Sequence, residues 1–259
     1  MQENVITSLT NSRVKRLVAL QAKSAERLRE GVFVVEGVRE LERCSAAGLV
    51  IEEVYYCPAI LPELPAVECG AIYEVSQAVY DKIAYRGGTE GVTSVVKTRT
   101  LGLSDLQLGD APLIVVLESV EKPGNLGAVL RSADAAGVDA VIVCDPLTDL
   151  WNPNLVRSST GAIFSVPCVA CTSEECIAFL KERGITILTA QLQDSELYYD
   201  IDMKRATAIV MGTEATGLTN VWREAADAHI RIPMLGIVDS LNVSVSAAIL
   251  MYEAVKQRQ

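Results

Sequence analysis

The chain has 259 residues, half of them apolar, and a formal net charge of −10 at pH 7. Because single cores rarely grow beyond about 250 residues, this length predicts two domains. No run approaches the roughly 20 apolar residues of a membrane span, and the first residues lack the apolar core of a signal peptide. We therefore expect a cytoplasmic protein with no membrane partner.

The acidic charge argues weakly against a nucleic-acid partner, because affinity for phosphates is largely electrostatic. Its distribution is uneven: residues 1–99 carry 12 basic and 13 acidic side chains, a net of −1, which leaves −9 for residues 100–259. The first 29 residues hold six basic side chains against two acidic ones, which indicates either a local basic surface or the solvated face of a helix. The six are Arg13, Lys15, Arg16, Lys23, Arg27 and Arg29.

The seven cysteines are an odd number and lie in apolar stretches, which favours reduced, buried thiols over a disulfide framework. Cys168 and Cys171 form a close pair in the sequence PCVAC. No second pair stands at zinc-finger spacing, and the one histidine, His229, is distant in sequence. We expect no metal site.

The first hundred residues predict a small α/β domain. After Thr10 and Asn11, either of which could cap, SRVKRLVALQAKSAERLRE predicts one or two helices. The strands predicted after them are GVFVVEG, VIEEVYYC, residues 72–75 and TSVVKT, and the helices are VRELERCSAAG and QAVYDKIA, the latter capped by Ser76. The βαβ pattern favours a largely parallel sheet over residues 1–99.

A glycine-containing loop with Arg86, Gly87 and Gly88 precedes the last of these strands. Its glycines would let the backbone approach a phosphate closely, but a plain turn is the favoured interpretation. Residues 100–110 have weak periodicity and several turn residues, so they are assigned to a linker.

Residues 111–259 alternate strands and helices more regularly and predict a parallel sheet covered on both faces, with ligands at the strand ends. LIVVLE is a predicted strand, followed by a helix from Asn125 to Ala136 that Gly137 caps. Thr172 and Glu175 form a capping box before a later helix. The remaining strands are VDAVIVCD, ITILTAQ, TAIVMG and IRIPM, and a helix ends the chain.

The helix predicted from Asn125 has two different faces. Its apolar stripe consists of Leu126, Val129, Leu130 and Ala133, and the opposite face carries Gly127, Ala128, Arg131 and Ala135. The second face places one long cation among residues with almost no side chain. It indicates either a surface that a ligand approaches or a tight packing contact, and the helix alone leaves both open.

Three segments of this half combine glycines or small residues with polar groups after a strand: KPGNLGAVLR, MGTEATGL and IPMLGIVDSLNVSVSAA. Their polar residues are Asn125, Arg131, Glu214, Ser240 and Asn242. Patterns for a dinucleotide-binding loop, a P-loop or a serine nucleophile are absent, and a single histidine makes ordinary His-based chemistry improbable. The groups suit a reaction in which a hydroxyl or phosphodiester is oriented beside an activated donor.

In order and spacing, PGNLGAVLRSADAAG, VMGTEATGL and IPMLGIVDSLNVSVSAAILMYE resemble the three motifs of the SpoU/TrmH family of RNA ribose 2′-O-methyltransferases, in the SPOUT superfamily. FVVEGVRELERC is similar to the L30e-like substrate-binding domain that often precedes them. The resemblance implies domains at 1–99 and 111–259, a trefoil knot in the second, S-adenosylmethionine as methyl donor and a homodimer formed through the C-terminal domain. Ribosomal RNA is expected ahead of tRNA, because a separate domain can grip a folded RNA.

By motif position, the resemblance implies that Gly212, Ile232 and Leu241 line the donor pocket and that the five polar residues named above carry catalysis. It leaves open whether Arg131 removes the proton of the ribose hydroxyl or holds the adjacent phosphate. Two rival interpretations are a catalytically silent RNA-binding paralogue and a small-molecule α/β enzyme with a nucleotide cofactor.

Overall fold

The computed structural model describes residues 4–85, 87 and 90–259. The chain divides into two compact units: unit 1 comprises Met1–Arg99 and Asp149–Phe164, and unit 2 comprises Thr100–Thr148 and Ser165–Gln259. The sequence-based boundaries differ, since they assign Asp149–Phe164 to a contiguous second domain. Among the described residues, every helix is too short or too polar to cross a bilayer.

Unit 1 contains a five-stranded mixed sheet in the order β1-β4-β3-β5-β2. Its strands are β1 (Val5–Ile6), β2 (Val32–Glu36), β3 (Ile51–Tyr56), β4 (Ala71–Val75) and β5 (Val92–Lys97). The helices are α1 (Ser12–Ala22), α2 (Ser24–Glu30), α3 (Val38–Ala46) and α4 (Gln77–Ile83). Of the two candidate caps Thr10 and Asn11, Asn11 caps α1, and Ser76 caps α4 as predicted.

The prediction of a largely parallel sheet in this unit is wrong. β4 lies parallel to β1 and β3, but β5 is antiparallel to both of its neighbours, β3 and β2. The expected β2-α3-β3 unit is present, with both strands running in one direction, and β5 is inserted between them. Sequence periodicity records burial and not strand direction, so it could not reveal this insertion.

The arginines near the N-terminus are neutralised within unit 1. Arg13 and Arg16 donate to the two carboxylate oxygens of Glu53 at 2.6 and 2.7 Å. Arg27, only 4% exposed, forms a bidentate pair with Asp149 at 3.1 and 2.6 Å. These contacts neutralise part of the counted basic charge, whereas Lys15 and Lys23 stay exposed.

Unit 2 is built on a seven-stranded sheet in the order β10-β12-β9-β11-β6-β7-β8, and every neighbouring pair is parallel, as predicted. The strands are β6 (Leu113–Glu118), β7 (Ala140–Cys144), β8 (Cys168–Cys171), β9 (Thr186–Ala190), β10 (Glu196–Leu197), β11 (Thr207–Met211) and β12 (Ala228–Arg231). The helices that follow α4 are α5 (Pro123–Ala136), α6 (Pro153–Ser158), α7 (Ala162–Ser165), α8 (Ser173–Glu182), α9 (Asn220–Ala225) and α10 (Val243–Arg258). Of these, α6 and the first three residues of α7 belong to unit 1. The trefoil knot stays a prediction.

Two expectations about α5 need correction. The helix begins at Pro123 and not at Asn125, because proline has the backbone angle of a first helical residue already set. Gly127 is buried, whereas Arg131 and Ala135 are exposed, so Gly127 does not belong to an open face. The reason is that α10 packs against α5 and covers a second side of it. Gly137 ends the helix in the left-handed conformation, as predicted.

Candidate functional site

Three polar side chains, one from each of the three predicted segments, form a hydrogen-bonded cluster in unit 2. Asn125 Nδ2 donates to Glu214 Oε1 at 3.2 Å, and Asn242 Nδ2 donates to the same oxygen at 2.8 Å. Asn242 Nδ2 also lies 3.2 Å from Asn125 Oδ1. We call these residues the Asn–Glu–Asn cluster. Because β6, β11 and β12 are parallel, the segments that follow them start from one edge of the sheet.

Glu214 is held in its ionised form. Lys122 Nζ lies 3.2 Å from Glu214 Oε2, and the backbone N–H of Val243 reaches Oε1 at 3.5 Å. Lys122 contributes most to keeping the pKa of Glu214 below its ordinary value, followed by the Val243 amide. A carboxylate that accepts from two amides, one ammonium and one backbone group is well suited to fixing geometry and is a poor proton acceptor.

The backbone of each segment explains how the cluster is built. Asn125 lies in the first turn of α5, directly after the loop that follows β6. Asn242 caps α10, with its Oδ1 accepting from the Ser244 amide at 3.0 Å. Glu214 lies in a tight loop closed by pairing between Thr213 and Gly217.

Glycine is required at the start of that tight loop. A Cβ on Gly212 would overlap the backbone carbonyl group of Gly217 and the amide nitrogen of Leu218. Gly217 itself has a φ of +69°, which lies in the left-handed region that favours glycine. The sequence MGTEATGL therefore follows from the shape of the loop as much as from its chemistry.

A cavity of about 370 Å³, here called the large cavity, opens beside the cluster. Among its lining residues are Gly212, Glu214, Ser240 and Leu241. A side cavity of about 150 Å³ shares Ser240 and Leu241 and adds Ile232. The predicted pocket residues Gly212, Ile232 and Leu241 thus line two cavities, of which the larger has the size of a small-molecule site.

A third, smaller pocket of about 120 Å³ also borders the cluster. Lys122, Asn125, Gly212 and Glu214 are among its lining residues. Glu214 and Gly212 line both this pocket and the large cavity, so ligands bound in the two would meet near the Asn–Glu–Asn cluster.

Two predicted residues lie outside the cluster. Arg131 is exposed on α5, and within the described part of the chain its guanidinium has no hydrogen bond or ion pair. Ser240 lines both larger cavities, and its hydroxyl donates only a long bond of 3.4 Å to Asp239. The loop considered for phosphate binding contains Arg86 and Gly88, which lie outside the described residues.

Sequence reasoning missed two cations at the site. Lys122 precedes α5 and contacts Glu214, and its charge just before a helix start was an available signal. Arg223 of α9 lines the large cavity, and its Nε is buried with no hydrogen-bond partner among the described residues. An arginine in a short helix usually predicts a solvated side chain, so the sequence carried no signal for this position.

Two family models match the chain. The SpoU rRNA Methylase family matches residues 112–252, and the MRM3-like substrate binding domain matches residues 11–94. The first match spans the Asn–Glu–Asn cluster and nearly all of the parallel sheet.

Similar proteins cover almost the whole chain. A 23S rRNA (guanosine-2′-O-)-methyltransferase of Salmonella typhimurium is 35% identical over 93% of this chain and 95% of its own length. A 23S rRNA uridine 2′-O-methyltransferase of Streptomyces viridochromogenes is 29% identical over 96% of this chain and 91% of its own. The AdoMet-bound crystal structure of an rRNA methyltransferase from Sinorhizobium meliloti superposes with a TM-score of 0.89, at 28% identity and 98% coverage of both chains.

The family match covers more than half of the chain, and the Salmonella relative aligns over almost all of it. The parallel sheet and the convergence of three motif segments on one cluster agree with this similarity. The chain therefore belongs to the SpoU rRNA methylase family.

Proposed function

We propose that this chain transfers a methyl group from S-adenosylmethionine to a ribose 2′-hydroxyl of ribosomal RNA. The observation that carries the proposal is the Asn–Glu–Asn cluster, which joins the three motif segments between a cavity of about 370 Å³ and a second pocket of about 120 Å³. Relatives that act on 23S rRNA and an AdoMet-bound structural neighbour support the choice of substrate and donor.

The residues at the large cavity fit the methyl donor. Gly212 leaves the loop backbone bare on the cavity side, and Leu241 supplies an apolar wall, with Ile232 in the side cavity. Arg223 offers a guanidinium whose Nε lacks a partner among the described residues, which suits the carboxylate of a methionine moiety. When bound, the cofactor supplies an activated methyl group on a sulfonium, so that the transfer needs neither a metal nor a general acid.

The cluster acts by positioning. Glu214 holds the amides of Asn125 and Asn242 and the ammonium of Lys122, and its lowered pKa makes it unsuitable as a base. The Asn125 amide then presents its remaining hydrogen-bonding capacity to the smaller pocket, where we place the ribose. Ser240 is assigned to orienting the donor from the large cavity.

Arg131 is assigned to the RNA phosphate next to the reacting ribose. Its guanidinium is exposed and has no carboxylate partner among the described residues, so it is available for a bidentate contact. Guanidinium groups keep their proton in proteins, which favours holding a phosphate over removing a proton. Stabilising negative charge nearby would lower the cost of forming the alkoxide.

The chain is further proposed to act as a homodimer through α10 and the loop before it. Large apolar side chains stand exposed along this surface: Leu235 at 97%, Ile237 at 105%, Val238 at 64%, Val245 at 47% and Tyr252 at 49%. A second copy is the proposed occupant, because exposed apolar side chains concentrated on one helix and the loop before it mark an interaction surface. Light scattering of the wild type and of Tyr252→Asp tests the dimer, and a monomeric wild type would contradict it.

The proposed cytoplasmic location rests on the ribosomal RNA substrate.

The proposal extends to the ribose and not to a particular base, since the relatives act on guanosine or uridine. Its test is methyl transfer from radiolabelled S-adenosylmethionine to ribosomal RNA and to tRNA, followed by mapping of 2′-O-methyl positions. We expect one or few ribose marks in ribosomal RNA, absent with Asn125→Ala. A mark on a base would refute the ribose assignment, and labelling of tRNA alone would favour that substrate. Donor binding without transfer to any RNA would indicate a silent paralogue.

A further inference from the structure

Three cysteine thiols meet on one face of the sheet in unit 2, where β7 and β8 end, and none of them lines the three pockets described above. The sulfur atoms of Cys144, Cys171 and Cys176 all lie within 4.8 Å of one another. Cys144 ends β7 and Cys171 ends β8, and the two residues are direct partners in the parallel register. Partners in register place their side chains on the same face of a sheet, so the pairing brings the first two thiols together.

The third thiol comes from the helix that covers this face. Cys176 lies in the first turns of α8, which packs against β7. Cys144 and Cys176 are fully buried, whereas Cys171 is half-buried. The cluster is thus largely buried, and Cys171 is its most accessible residue.

Hydrogen bonds hold the start of α8 in place. Asp145 accepts from both the backbone N–H and the hydroxyl of Ser173, at 3.3 and 2.6 Å. Trp222 Nε1 donates to the same hydroxyl oxygen at 2.9 Å, and Thr172 and Glu175 form the capping box. The chain that connects Cys171 to Cys176 is therefore fixed, and the sulfurs are held together before any ligand arrives.

The spacing and the donor type suit a single soft metal ion. A Zn²⁺–sulfur bond of about 2.3 Å places tetrahedral sulfur ligands about 3.8 Å apart, which lies inside the observed 4.8 Å limit. Thiolates select thiophilic ions such as Zn²⁺ and Cd²⁺ over Mg²⁺ or Ca²⁺. His229, the only histidine, is already bonded to Thr189 through Nδ1 at 2.6 Å.

We propose that Cys144, Cys171 and Cys176 form a three-sulfur binding site for a thiophilic divalent cation of the Zn²⁺ or Cd²⁺ type, with water as the fourth ligand. The sequence predicted no metal site, because only Cys168 and Cys171 are close together along the chain. These two residues are three apart on β8 and so lie on opposite faces of the sheet. In the folded chain Cys171 instead lies close to Cys144 and Cys176, which are distant from it or from each other in sequence.

The test is a titration of the reduced, metal-free, full-length protein with Cd²⁺, followed by its ultraviolet cadmium–thiolate absorption. We expect saturation at one ion per chain and displacement by Zn²⁺. Cys171→Ser should weaken binding by at least about tenfold, as should Cys144→Ala and Cys176→Ala. Cys168→Ser, on the same strand but the other face, is the matched control and should bind like the wild type.

A second measurement does not depend on variants of a buried core. X-ray absorption at the cadmium edge of the loaded wild type should count three sulfur neighbours. Fewer than three sulfurs, or no saturable binding, would overturn the proposal and leave the cysteines as apolar packing. Equal loss with Cys168→Ser would also overturn it, since the thiolate signal would then not belong to this cluster.

Discussion

Replacing Asn242 with Asp would separate two tasks of one side chain. Oδ1 of Asn242 caps α10 by accepting from the Ser244 amide, and Nδ2 donates to Glu214 at 2.8 Å. Asp is as good an N-cap as Asn, so α10 should keep its start and the melting temperature should change little. The same change sets a second carboxylate against that of Glu214.

The expected loss of activity follows from the distance between the two carboxylates and from the solvent exposure of Glu214. Two unit charges about 4 Å apart repel by about 1 kcal/mol in water and by about 4 kcal/mol near a protein surface. The Glu214 side chain is 37% exposed, which favours the lower part of this range. A cost of about 1–2 kcal/mol in the arrangement needed for transfer would slow methylation by roughly 5- to 30-fold.

The pH dependence gives this prediction its distinctive signature. In the wild type, Lys122 and the Val243 amide lower the pKa of Glu214, so its carboxylate stays ionised to a lower pH than an ordinary glutamate. In Asn242→Asp the two like charges raise the pKa of one member of the pair. Protonation at mildly acidic pH then removes the repulsion, and the variant should recover relative to the wild type.

Initial rates of methyl transfer to ribosomal RNA, measured from neutral to mildly acidic pH, check this reasoning. Asn220→Asp is the matched control, because Asn220 is exposed at the start of α9. Asn242→Ala should be slow at every pH, since it lacks both the amide and the titrating group. Wild-type activity of Asn242→Asp at neutral pH, or a pH profile like that of Asn242→Ala, would refute the role given to the cluster.

Three further changes test other parts of the site. Gly212→Ala should weaken S-adenosylmethionine binding by at least about tenfold in calorimetry, because its Cβ overlaps the Gly217 carbonyl; unchanged binding would show that the loop can shift. Arg223→Gln should weaken donor binding by about tenfold while RNA affinity stays constant, and the reverse pattern would contradict a carboxylate contact. Arg131→Ala should lower kcat/KM for RNA by about tenfold or more without changing donor binding, and Arg131→Lys should restore part of the loss. Arg205→Ala is the control and should have no effect, because Arg205 precedes β11, at the opposite end of that strand from Glu214. Near-normal turnover of Arg131→Ala would exclude both proposed roles.

Features set by neighbouring residues could be predicted from the sequence. The capping box of Thr172 and Glu175, the Ser76 cap and the left-handed Gly137 all depend on a few adjacent residues, and all are present. The parallel sheet of unit 2 was predictable because its strands alternate with helices of ordinary length. The meeting of Asn125, Glu214 and Asn242 agrees with the spacing of the three motif segments.

Features set by distant parts of the chain could not be predicted in this way. β5 lies between β2 and β3, and only its long-range pairing reveals the mixed sheet. Gly127 is buried because α10 returns to α5 from more than a hundred residues away. The charges of Arg13 and Arg16 looked free until β3 brought Glu53 to them.

The membership of Asp149–Phe164 in unit 1 limits how the chain can be divided. A fragment ending at Arg99 would remove the Asp149 carboxylate that pairs with the Arg27 guanidinium and would uncover an arginine that is only 4% exposed in the whole chain. It would also expose Phe33, whose ring stacks on Trp151 at 4.2 Å. An exchange of the N-terminal unit between relatives must therefore transfer two separate pieces of sequence together, because recombination at a single junction near residue 100 would combine core residues of two different parents in one unit.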